Sequence, residues 1–221
     1  MLIFSPDFDR RIMLPGAGAC PRPVDIDQRI TQFSNLVSLR VYSFAKGVEI
    51  NGEAEEDELF IVLVRGHVDV NVNSGAAGAF SLRTDGGARA VYLPPHDVYS
   101  LRPGSDADVA YARARPLAGH ARRPAAAFMP VADTLSVVGY AESMDISLTR
   151  LASGASFAPE GIGGALPERL VHVRSNDGGL AVVADRRLAD WETLGLAPAE
   201  SVKVRAERGS IDVLTVAATS A

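Results

Sequence analysis

The side chains best suited to chemistry in this chain are a run of carboxylates near residue 55. Carboxylate oxygens can bind Ca²⁺ or Mg²⁺, and a positioned carboxylate can act as an acid or a base. A solvated acidic loop leading into a strand is the simpler interpretation of the same run. Glu58 is the member that we expect to project inward from the strand that follows. The run comprises Glu53, Glu55, Glu56, Asp57 and Glu58.

A second candidate group, His96 and Tyr99, follows further along the chain. Both side chains could donate to or accept from a polar ligand. Together with Glu58 they would supply the base and the electrophile that aldose–ketose isomerisation needs. Packing and surface roles are the alternative, because Tyr99 alternates with Val98 in a strand of which one face must meet solvent or a cavity.

The other reactive residue types indicate structural roles. Cys20 is the single cysteine, so no internal disulfide and no cysteine-based metal cluster can form. His172 lies within an apolar run and is predicted to be a core histidine, whereas His67 and His120 are predicted to face solvent. No Ser-His-Asp arrangement or phosphate-binding glycine motif stands out. We therefore assign no catalytic residue.

Composition narrows the class of partner. The 221 residues carry a formal net charge of −5 and no long run of Lys and Arg, so a nucleic-acid partner is not expected. No stretch approaches the roughly 18–20 apolar residues of a membrane helix, so no membrane partner is expected either. The N-terminus lacks a basic start followed by a long apolar core, and we expect a cytoplasmic protein.

The elements that would position these side chains occur twice. Residues 47–114 and 154–218 carry the same order of apolar strands, turns and prolines. The clearest stretch is ungapped, since residues 94–111 match residues 198–215 at a constant offset of 104 positions. A self-match of domain size predicts two copies of one small fold.

The repeat extends the set of pocket candidates. Glu168 is the counterpart of Glu58, and Lys203 is the counterpart of Tyr99. With His96, these residues form the predicted ligand pockets of the two copies: Glu58, His96, Tyr99, Glu168 and Lys203.

Short strands separated by turn signals predict an all-β protein. Residues 36–44 alternate as a strand with one buried face does, and residues 58–66 form an apolar strand that ends at a glycine. In the next strand Val68, Val70 and Val72 share one face, so Arg65-Gly66 is predicted to form or adjoin a hairpin turn. Residues 185–194 are predicted to be a short helix or a covering loop in which Trp191 packs.

The repeat and the composition divide the chain into four parts. The prolines and alanines before residue 130 indicate an irregular connection between the copies. The predicted parts are an N-terminal leader (1–30), a first domain (31–115), a connector (116–130) and a degenerate second domain (131–221).

These residues resemble the cupin superfamily, whose members are small β-barrels of two packed sheets. Gly47, Glu58 and Gly66 follow the order of the first cupin motif, G-x5-H-x-H-x3-4-E-x6-G, with one extra residue before the last glycine. Residues 93–99 resemble the second motif, G-x5-P-x-G-x2-H-x3-N. More narrowly, residues 36–115 look like the N-terminal half of the bicupin isomerases of the 5-deoxy-glucuronate isomerase and 4-deoxy-5-ketouronate isomerase family. The resemblance implies tandem cupin barrels (RmlC-like double-stranded β-helix, or jelly roll).

The resemblance also implies a divalent metal held by imidazoles and one carboxylate, and here the sequence departs from the pattern. The region 48–57 contains no histidine, Tyr99 stands where the last histidine would be, and His96 replaces a glycine. In the second copy Lys203 would repel a cation. We therefore expect the fold without the metal, and no cofactor.

Two functions are compatible with these observations. The favoured one is a metal-free bicupin that binds a small polar ligand such as a sugar acid, or acts as a regulatory or assembly partner without turnover. The alternative is a sugar isomerase, an intramolecular oxidoreductase acting on a uronate or deoxyglucuronate in carbohydrate or inositol catabolism. Exposed sheet edges invite pairing, so a homodimer is an open alternative to a monomer.

Overall fold

The structure is a computed structural model that describes residues 1–73, 78–117, 123–159 and 167–218. It divides into two compact units. We call Asp7–Asp27 with Val37–Pro130 the first unit, and Met1–Pro6 with Gln28–Leu36 and Val131–Ala221 the second unit. Each unit is almost entirely β-structure, as the sequence predicts. The single described helix, α1 (Gln28–Thr31), has four residues. No helix in the described ranges is long and apolar enough to cross a membrane.

The first unit consists of two antiparallel sheets and a hairpin. Its strands are β2 (Arg11–Leu14), β3 (Gly18–Pro21), β4 (Val24–Asp27), β5 (Leu36–Phe44), β6 (Ile50–Glu53), β7 (Glu58–Arg65), β8 (His67–Val72), β9 (Ala79–Arg83), β10 (Ala90–Leu93), β11 (Val98–Pro103), β12 (Ala107–Ala114) and β13 (Ala126–Phe128). The six-stranded sheet has the order β13-β10-β7-β12-β5-β4, the four-stranded sheet has the order β6-β11-β8-β9, and β2 pairs with β3.

One core lies between the two larger sheets of the first unit. Leu59, Ile61 and Leu63 of β7 share this core with the inward residues of β8. Successive side chains of a strand point to opposite faces, so these odd-numbered residues of β7 face this core and the even-numbered residues face away from it. The predicted inward face of β8 is confirmed, because its three valines, Val68, Val70 and Val72, are all buried in the same core.

The chain changes sheets at Gly66, so the predicted hairpin at this position is wrong. β7 pairs with β10 and β12, whereas β8 pairs with β9 and β11. Gly66 has φ +94°, and a Cβ there would lie 2.4 Å from the carbonyl oxygen of Asp106. Glycine is required both for the left-handed backbone and for the close approach. Alternation identifies a strand but does not reveal its partner, which is why the sequence suggested a hairpin.

The second unit is one antiparallel sheet that includes eight strands. They are β1 (Leu2–Phe4), β14 (Thr134–Val137), β15 (Met144–Leu151), β16 (Ser156–Phe157), β17 (Arg169–Val183), β18 (Arg186–Leu188), β19 (Thr193–Leu196) and β20 (Val204–Ala218). The order is β1-β19-β17-β20-β15-β14, with β16 beside β20 and β18 beside β17. The predicted helix or loop over residues 185–194 is instead occupied by β18 and β19. Trp191, between them, is buried, as expected for a packing residue.

Strand pairing reproduces the sequence repeat. In the first unit Val109 pairs with Leu63 and Tyr111 with Ile61, and in the second unit Val213 pairs with Val173 and Thr215 with Val171. The β20 residues of these pairs lie 104 positions after those of β12 (109 to 213 and 111 to 215), the offset read from the sequence. The long strands β17 and β20 thus take the places that separate strands occupy in the first unit.

The segment predicted as leader contributes to both units, and the segment predicted as connector belongs to the first unit. Within the leader, β1 pairs with β19 in the second unit, and β2 to β4 lie in the first unit. Within the connector, β13 pairs with β10. His120 lies outside the described residues.

Candidate functional sites

Glu58 faces away from the core of the first unit, contrary to the expectation that it projects inward. It precedes Leu59 on β7, and Leu59 belongs to the core, so alternation places Glu58 on the opposite face. Its carboxylate is buried and accepts a 2.7 Å hydrogen bond from the Tyr92 hydroxyl. Glu58 is therefore part of a buried polar pair and lines none of the described cavities.

Tyr99 points into the first unit and lines a cavity of about 180 Å³ that we call the tyrosine pocket. Gly52 faces it across the β6–β11 pairing, and a Cβ at residue 52 would lie 2.4 Å from the Tyr99 hydroxyl oxygen. The absence of a side chain at Gly52 is therefore what admits the ring. The tyrosine pocket is lined by residues that include Arg40, Tyr42, Phe44, Tyr99, Tyr111 and Arg113.

The tyrosine pocket holds neutral phenols beside a paired guanidinium. Burial raises the pKa of Tyr99 to about 12, and the neighbouring Tyr111 hydroxyl partly offsets this rise. Burial likewise raises the pKa of Tyr111 well above 10. The Arg113 guanidinium donates to the carbonyl oxygens of Ala54 and Glu53, at 2.6 Å in each case. The hydroxyls of Tyr99 and Tyr111 therefore stay protonated at neutral pH and can donate hydrogen bonds.

His96 and Lys203 lie outside the described cavities. His96 is exposed in a turn with φ +67°, where its backbone N–H donates to the Glu55 carbonyl oxygen at 2.7 Å. Lys203 is exposed just before β20. The structure therefore does not bring these two side chains together with Tyr99 at a site.

Glu168 has a structural role. Its side chain is buried, and its two oxygens accept backbone N–H bonds from Ser34 at 2.5 Å, Asn35 at 2.9 Å and Leu36 at 3.2 Å. All four residues belong to the second unit. The carboxylate fixes the end of the segment that follows α1. Of the five predicted pocket residues, Tyr99 is the one that lines either of the two cavities described in this section.

His172 is a core histidine, as the sequence predicts. It is fully buried, Nδ1 lies 2.9 Å from the Thr193 hydroxyl, and its ring packs edge-on against Trp191. Burial and, secondly, the positive charge of Arg174 lower the pKa of His172 to about 3. The imidazole is neutral at physiological pH.

A second cavity, of about 310 Å³, lies in the second unit, and we call it the hydroxyl cavity. Ser136, Ser147 and Thr215 form a row across β14, β15 and β20, because each is paired with the next in register. Directly paired side chains have Cβ atoms about 5 Å apart. The polar lining includes Thr134, Ser136, Asp145, Ser147, Thr149 and Thr215.

Two hydroxyls of this cavity are buried without a hydrogen-bond partner among the described residues. They belong to Thr149 and Thr215, whose residues are 8% and 5% exposed. A buried polar group without a partner costs about 1–3 kcal/mol, so such groups call for an explanation. Asp145 is the carboxylate in the lining, and its Oδ1 accepts the Gly139 backbone N–H at 2.7 Å. The cavity therefore offers hydroxyls and one carboxylate to a ligand.

Arg169 shows how the second copy differs from the first. It occupies the position of Leu59, on the same face of β17 as the core residues Val171 and Val173. Its guanidinium donates to the carbonyl oxygens of Pro159 and Glu200. Because two of its nitrogens bond the protein itself, this buried cation serves to hold the adjacent segments.

The sequence does carry a signal for the hydroxyl cavity. Polar residues alternate with apolar ones over Asp145, Ser147 and Thr149, and again over Thr134 and Ser136. Such alternation is usually assigned to a solvent-facing side of a strand. Only the pairing of β14, β15 and β20 shows that this face lines a cavity.

Solved structures share the fold. An IolB-like protein from Salmonella typhimurium LT2 is similar with a TM-score of 0.72 and 14% identity, over 100% of this chain and 94% of that chain. A quercetin 2,3-dioxygenase from Acinetobacter baumannii gives 0.66 and 13%, over 98% and 85%. The pirin YhhW from Escherichia coli, in complex with nickel(II), gives 0.66 and 11%, over 99% and 100%. The chain is therefore a cupin-fold protein.

The family follows from a sequence comparison. The model of the KduI/IolB family matches residues 19–158, more than half of the chain. The chain belongs to the KduI/IolB family, a cupin-fold isomerase family, which confirms the resemblance noted from the motifs. Membership suggests a sugar-isomerase-like role. No curated protein sequence matches the chain.

Neither cavity has donors that fit the divalent metal implied by the cupin resemblance. Such a metal takes imidazoles and a carboxylate, and Ca²⁺ takes six to eight oxygens. The hydroxyl cavity has one lining carboxylate and no lining imidazole. The tyrosine pocket has two lining carboxylates, Glu53 and Glu55, and no lining imidazole, and its Arg40 and Arg113 cations would repel a metal ion. Within the described ranges, no group of three or more His, Cys, Asp or Glu residues is placed to hold a metal ion.

Proposed function

We propose that this chain is a metal-independent member of the KduI/IolB family that binds a small polyhydroxylated ligand, such as a sugar or sugar acid, in the hydroxyl cavity. The observation that carries the proposal is the pair of buried hydroxyls on Thr149 and Thr215. A ligand hydroxyl can donate to or accept from each of them, which would remove the cost of burying them unpaired.

The charge of the cavity favours neutral sugars over sugar acids. Asp145 lines the cavity, and a carboxylate on the ligand would be repelled by it at short range. The Arg169 guanidinium donates to two backbone carbonyl oxygens, so it is not oriented to bind a carboxylate of the ligand. Sugar acids stay within the proposed class, with weaker binding than their neutral counterparts.

The test uses calorimetry on chelator-treated protein with D-glucose, myo-inositol and D-glucuronate. Thr149→Val and Thr215→Val keep the side-chain shape and remove one hydroxyl each. Each change should weaken sugar binding about tenfold, the contribution of one hydrogen bond. Thr193→Val, which removes a hydroxyl bonded to His172 outside the cavity, is the control. Unchanged sugar affinity in both cavity variants, or binding lost with the metal, would contradict the proposal.

Sugar isomerisation is the second candidate function, and family membership supports it. Asp145 would then act as the base, with the cavity hydroxyls bonding the substrate oxygens. An NMR assay for aldose–ketose interconversion of deoxyglucuronate, with the wild type and with Asp145→Asn, separates the two functions. Turnover that disappears in Asp145→Asn would establish the enzyme. Binding without turnover would leave the ligand-binding function.

A further inference from the structure

The tyrosine pocket has a chemistry that the hydroxyl cavity lacks. It belongs to the first unit and presents aromatic rings, guanidinium groups and two exposed carboxylates, whereas the hydroxyl cavity belongs to the second unit and presents hydroxyls with one carboxylate. A ligand suited to one would not suit the other. The tyrosine pocket is therefore a separate candidate site.

The rings define the shape of the tyrosine pocket. Tyr42 and Phe44 stack with ring centroids 5.3 Å apart and an interplanar angle of 12°, and Tyr111 meets Tyr42 edge-on at 5.2 Å. The pocket volume is about 180 Å³. Because an apolar protein cavity of about 150 Å³ can hold benzene, this pocket has room for one six-membered ring and a small substituent.

Hydrogen-bond donors lie among these rings. Tyr111 is 6% exposed, and its hydroxyl has no partner of normal hydrogen-bond geometry in the described ranges, although the Tyr99 hydroxyl is near. Both phenols are protonated at neutral pH, so each can donate. A carboxylate can accept from both at once, and hydrogen bonds to a charged acceptor are stronger than neutral ones.

One side of the pocket carries excess positive charge. Asp25 pairs with Arg10 at 2.7 Å, Arg22 at 2.8 Å and Arg40 at 3.2 Å, and Arg10 also pairs with the exposed Asp7 at 3.6 Å, so three cations share two carboxylates. Arg40 lines the pocket, and Arg22 donates to the Tyr42 hydroxyl at 3.4 Å. The Arg22 Nε atom is buried without a partner among the described residues. These groups would attract an anion at the Tyr42 side.

Two carboxylates line the pocket itself, those of Glu53 and Glu55, and they offset this charge weakly because both are exposed. The Glu55 side chain is 73% exposed and pairs with Arg113 at 3.3 Å, and Glu53 is exposed at the end of β6. Water screens exposed charges more strongly than buried ones. The half-buried Arg22 and the lining Arg40 therefore give the pocket its preference for an anion.

We propose that the tyrosine pocket binds a small carboxylic acid that carries a single six-membered ring, with the ring among Tyr42, Phe44 and Tyr99 and the carboxylate toward the Tyr111 hydroxyl and Arg40. This site is independent of the hydroxyl cavity and of the ligand proposed for it.

Three probes test the preferred charge, each a benzene ring with one small substituent: benzoate, benzamide and benzylammonium. Their binding to the full chain is measured by calorimetry and by ligand-observed NMR. Benzoate should bind at least tenfold more tightly than benzamide, and benzylammonium should bind more weakly still. Tighter binding of benzylammonium would show that the rings form a cation site and would overturn the proposal, as would equal affinity for benzoate and benzamide.

Two matched pairs of variants locate the probe. Tyr111→Phe should lower benzoate affinity about tenfold and leave thermal stability unchanged or higher, because the lost hydroxyl has no partner. Tyr92→Phe, which removes the hydroxyl bonded to Glu58, should lower stability and leave benzoate affinity unchanged. Arg40→Gln should weaken benzoate binding, whereas Arg102→Gln, at an exposed residue outside the pocket, should not.

The outcomes also separate this site from the proposed function. Thr149→Val should leave benzoate affinity unchanged, and Tyr111→Phe should leave sugar affinity unchanged. If benzoate affinity is the same in the wild type, Tyr111→Phe and Arg40→Gln, the tyrosine pocket is not the site.

Discussion

Glu168 illustrates how one carboxylate can hold a segment that is distant in sequence. Its three backbone donors come from residues 34–36, and its oxygens satisfy N–H groups that precede or begin β5. A charge-assisted hydrogen bond contributes more than a neutral one. The role of this residue is therefore stability rather than ligand binding.

The variant Glu168→Ala leaves three backbone N–H groups without their acceptor. We expect the second unit to lose about 2–4 kcal/mol of stability, since each unsatisfied group costs about 1–3 kcal/mol when fully buried and less when partly exposed. Trp191 is the single tryptophan and lies in the second unit, so its fluorescence during urea unfolding reports this unit. Glu207→Ala, at a surface ion pair, is the control and should cost under about 1 kcal/mol. A similar effect of both changes would contradict the role of Glu168.

His172 gives a prediction about pH. Its ordinary pKa of 6.5 falls to about 3 in the folded protein, mainly through burial. Between these values the unfolded chain binds the proton and the folded chain does not. The stability that the neutral imidazole contributes is thus present above pH 6.5 and is lost as the pH falls toward 3, at up to about 1.4 kcal/mol per pH unit.

The measurement is the stability of the second unit between pH 7 and pH 4, followed by Trp191 fluorescence. His172→Asn keeps a hydrogen-bond donor near Thr193 and should flatten the acid side of the curve. Equal slopes in the wild type and His172→Asn would show that another group titrates.

At the scale of elements, two glycines in the first unit separate backbone strain from steric contact. Gly66, where the chain changes sheets, has φ +94°, and an added Cβ would lie 2.4 Å from a backbone oxygen. Gly86 has φ +109° and nothing within 4 Å of an added Cβ. Both positions strain an alanine, but only at Gly66 would the added Cβ also clash with the backbone of Asp106 and Ala107.

Gly66→Ala should therefore destabilise the first unit by about 3–5 kcal/mol, with strain and overpacking combined, and Gly86→Ala by about 1–2 kcal/mol. Hydrogen exchange of the β8 and β12 amides provides a readout confined to the first unit. Equal losses of protection in the two variants would mean that the crossing tolerates a side chain.

Gly52 provides a second test at this scale, because its backbone is ordinary and only the Tyr99 ring excludes a Cβ. Gly52→Ala should displace that ring, lower stability by about 1–3 kcal/mol and abolish benzoate binding in the tyrosine pocket. In the Tyr99→Leu background the same change should cost at least 1 kcal/mol less. Additive losses in the double-mutant cycle would contradict a direct contact.

For the whole molecule, the sequence predicted the architecture better than the sites. The repeat offset of 104 positions holds in the strand pairing, because inward apolar residues must recur in both copies. The prediction that Glu58 projects inward was wrong because a shift of one residue in the register of a strand turns every side chain to the opposite face. The hydroxyl cavity was missed because polar alternation looks the same on a surface and in a cavity. Glu168 was missed as a cap because its partners lie 132–134 positions away.

The division of the chain into units gives a prediction about fragments. Residues 131–221 lack β1, which pairs with β19, and residues 34–36, which bond Glu168. This fragment should show no cooperative unfolding transition by Trp191 fluorescence. Residues 7–130 contain every described strand of the first unit and should fold, as judged by dispersed amide NMR signals. A folded 131–221 fragment would show that the N-terminal segments are dispensable.

The pairing of Leu2 with Gly195 also fixes the order in which the units can form on the ribosome. The first unit has all its strands once Pro130 has emerged, whereas β1 cannot pair until β19 has been synthesised. At synthesis rates of about 5–20 residues per second, the time between the synthesis of Leu2 and that of Gly195 is about 10–40 s. During that time Leu2, Ile3 and Phe4 form an apolar segment whose pairing strand has not yet been synthesised.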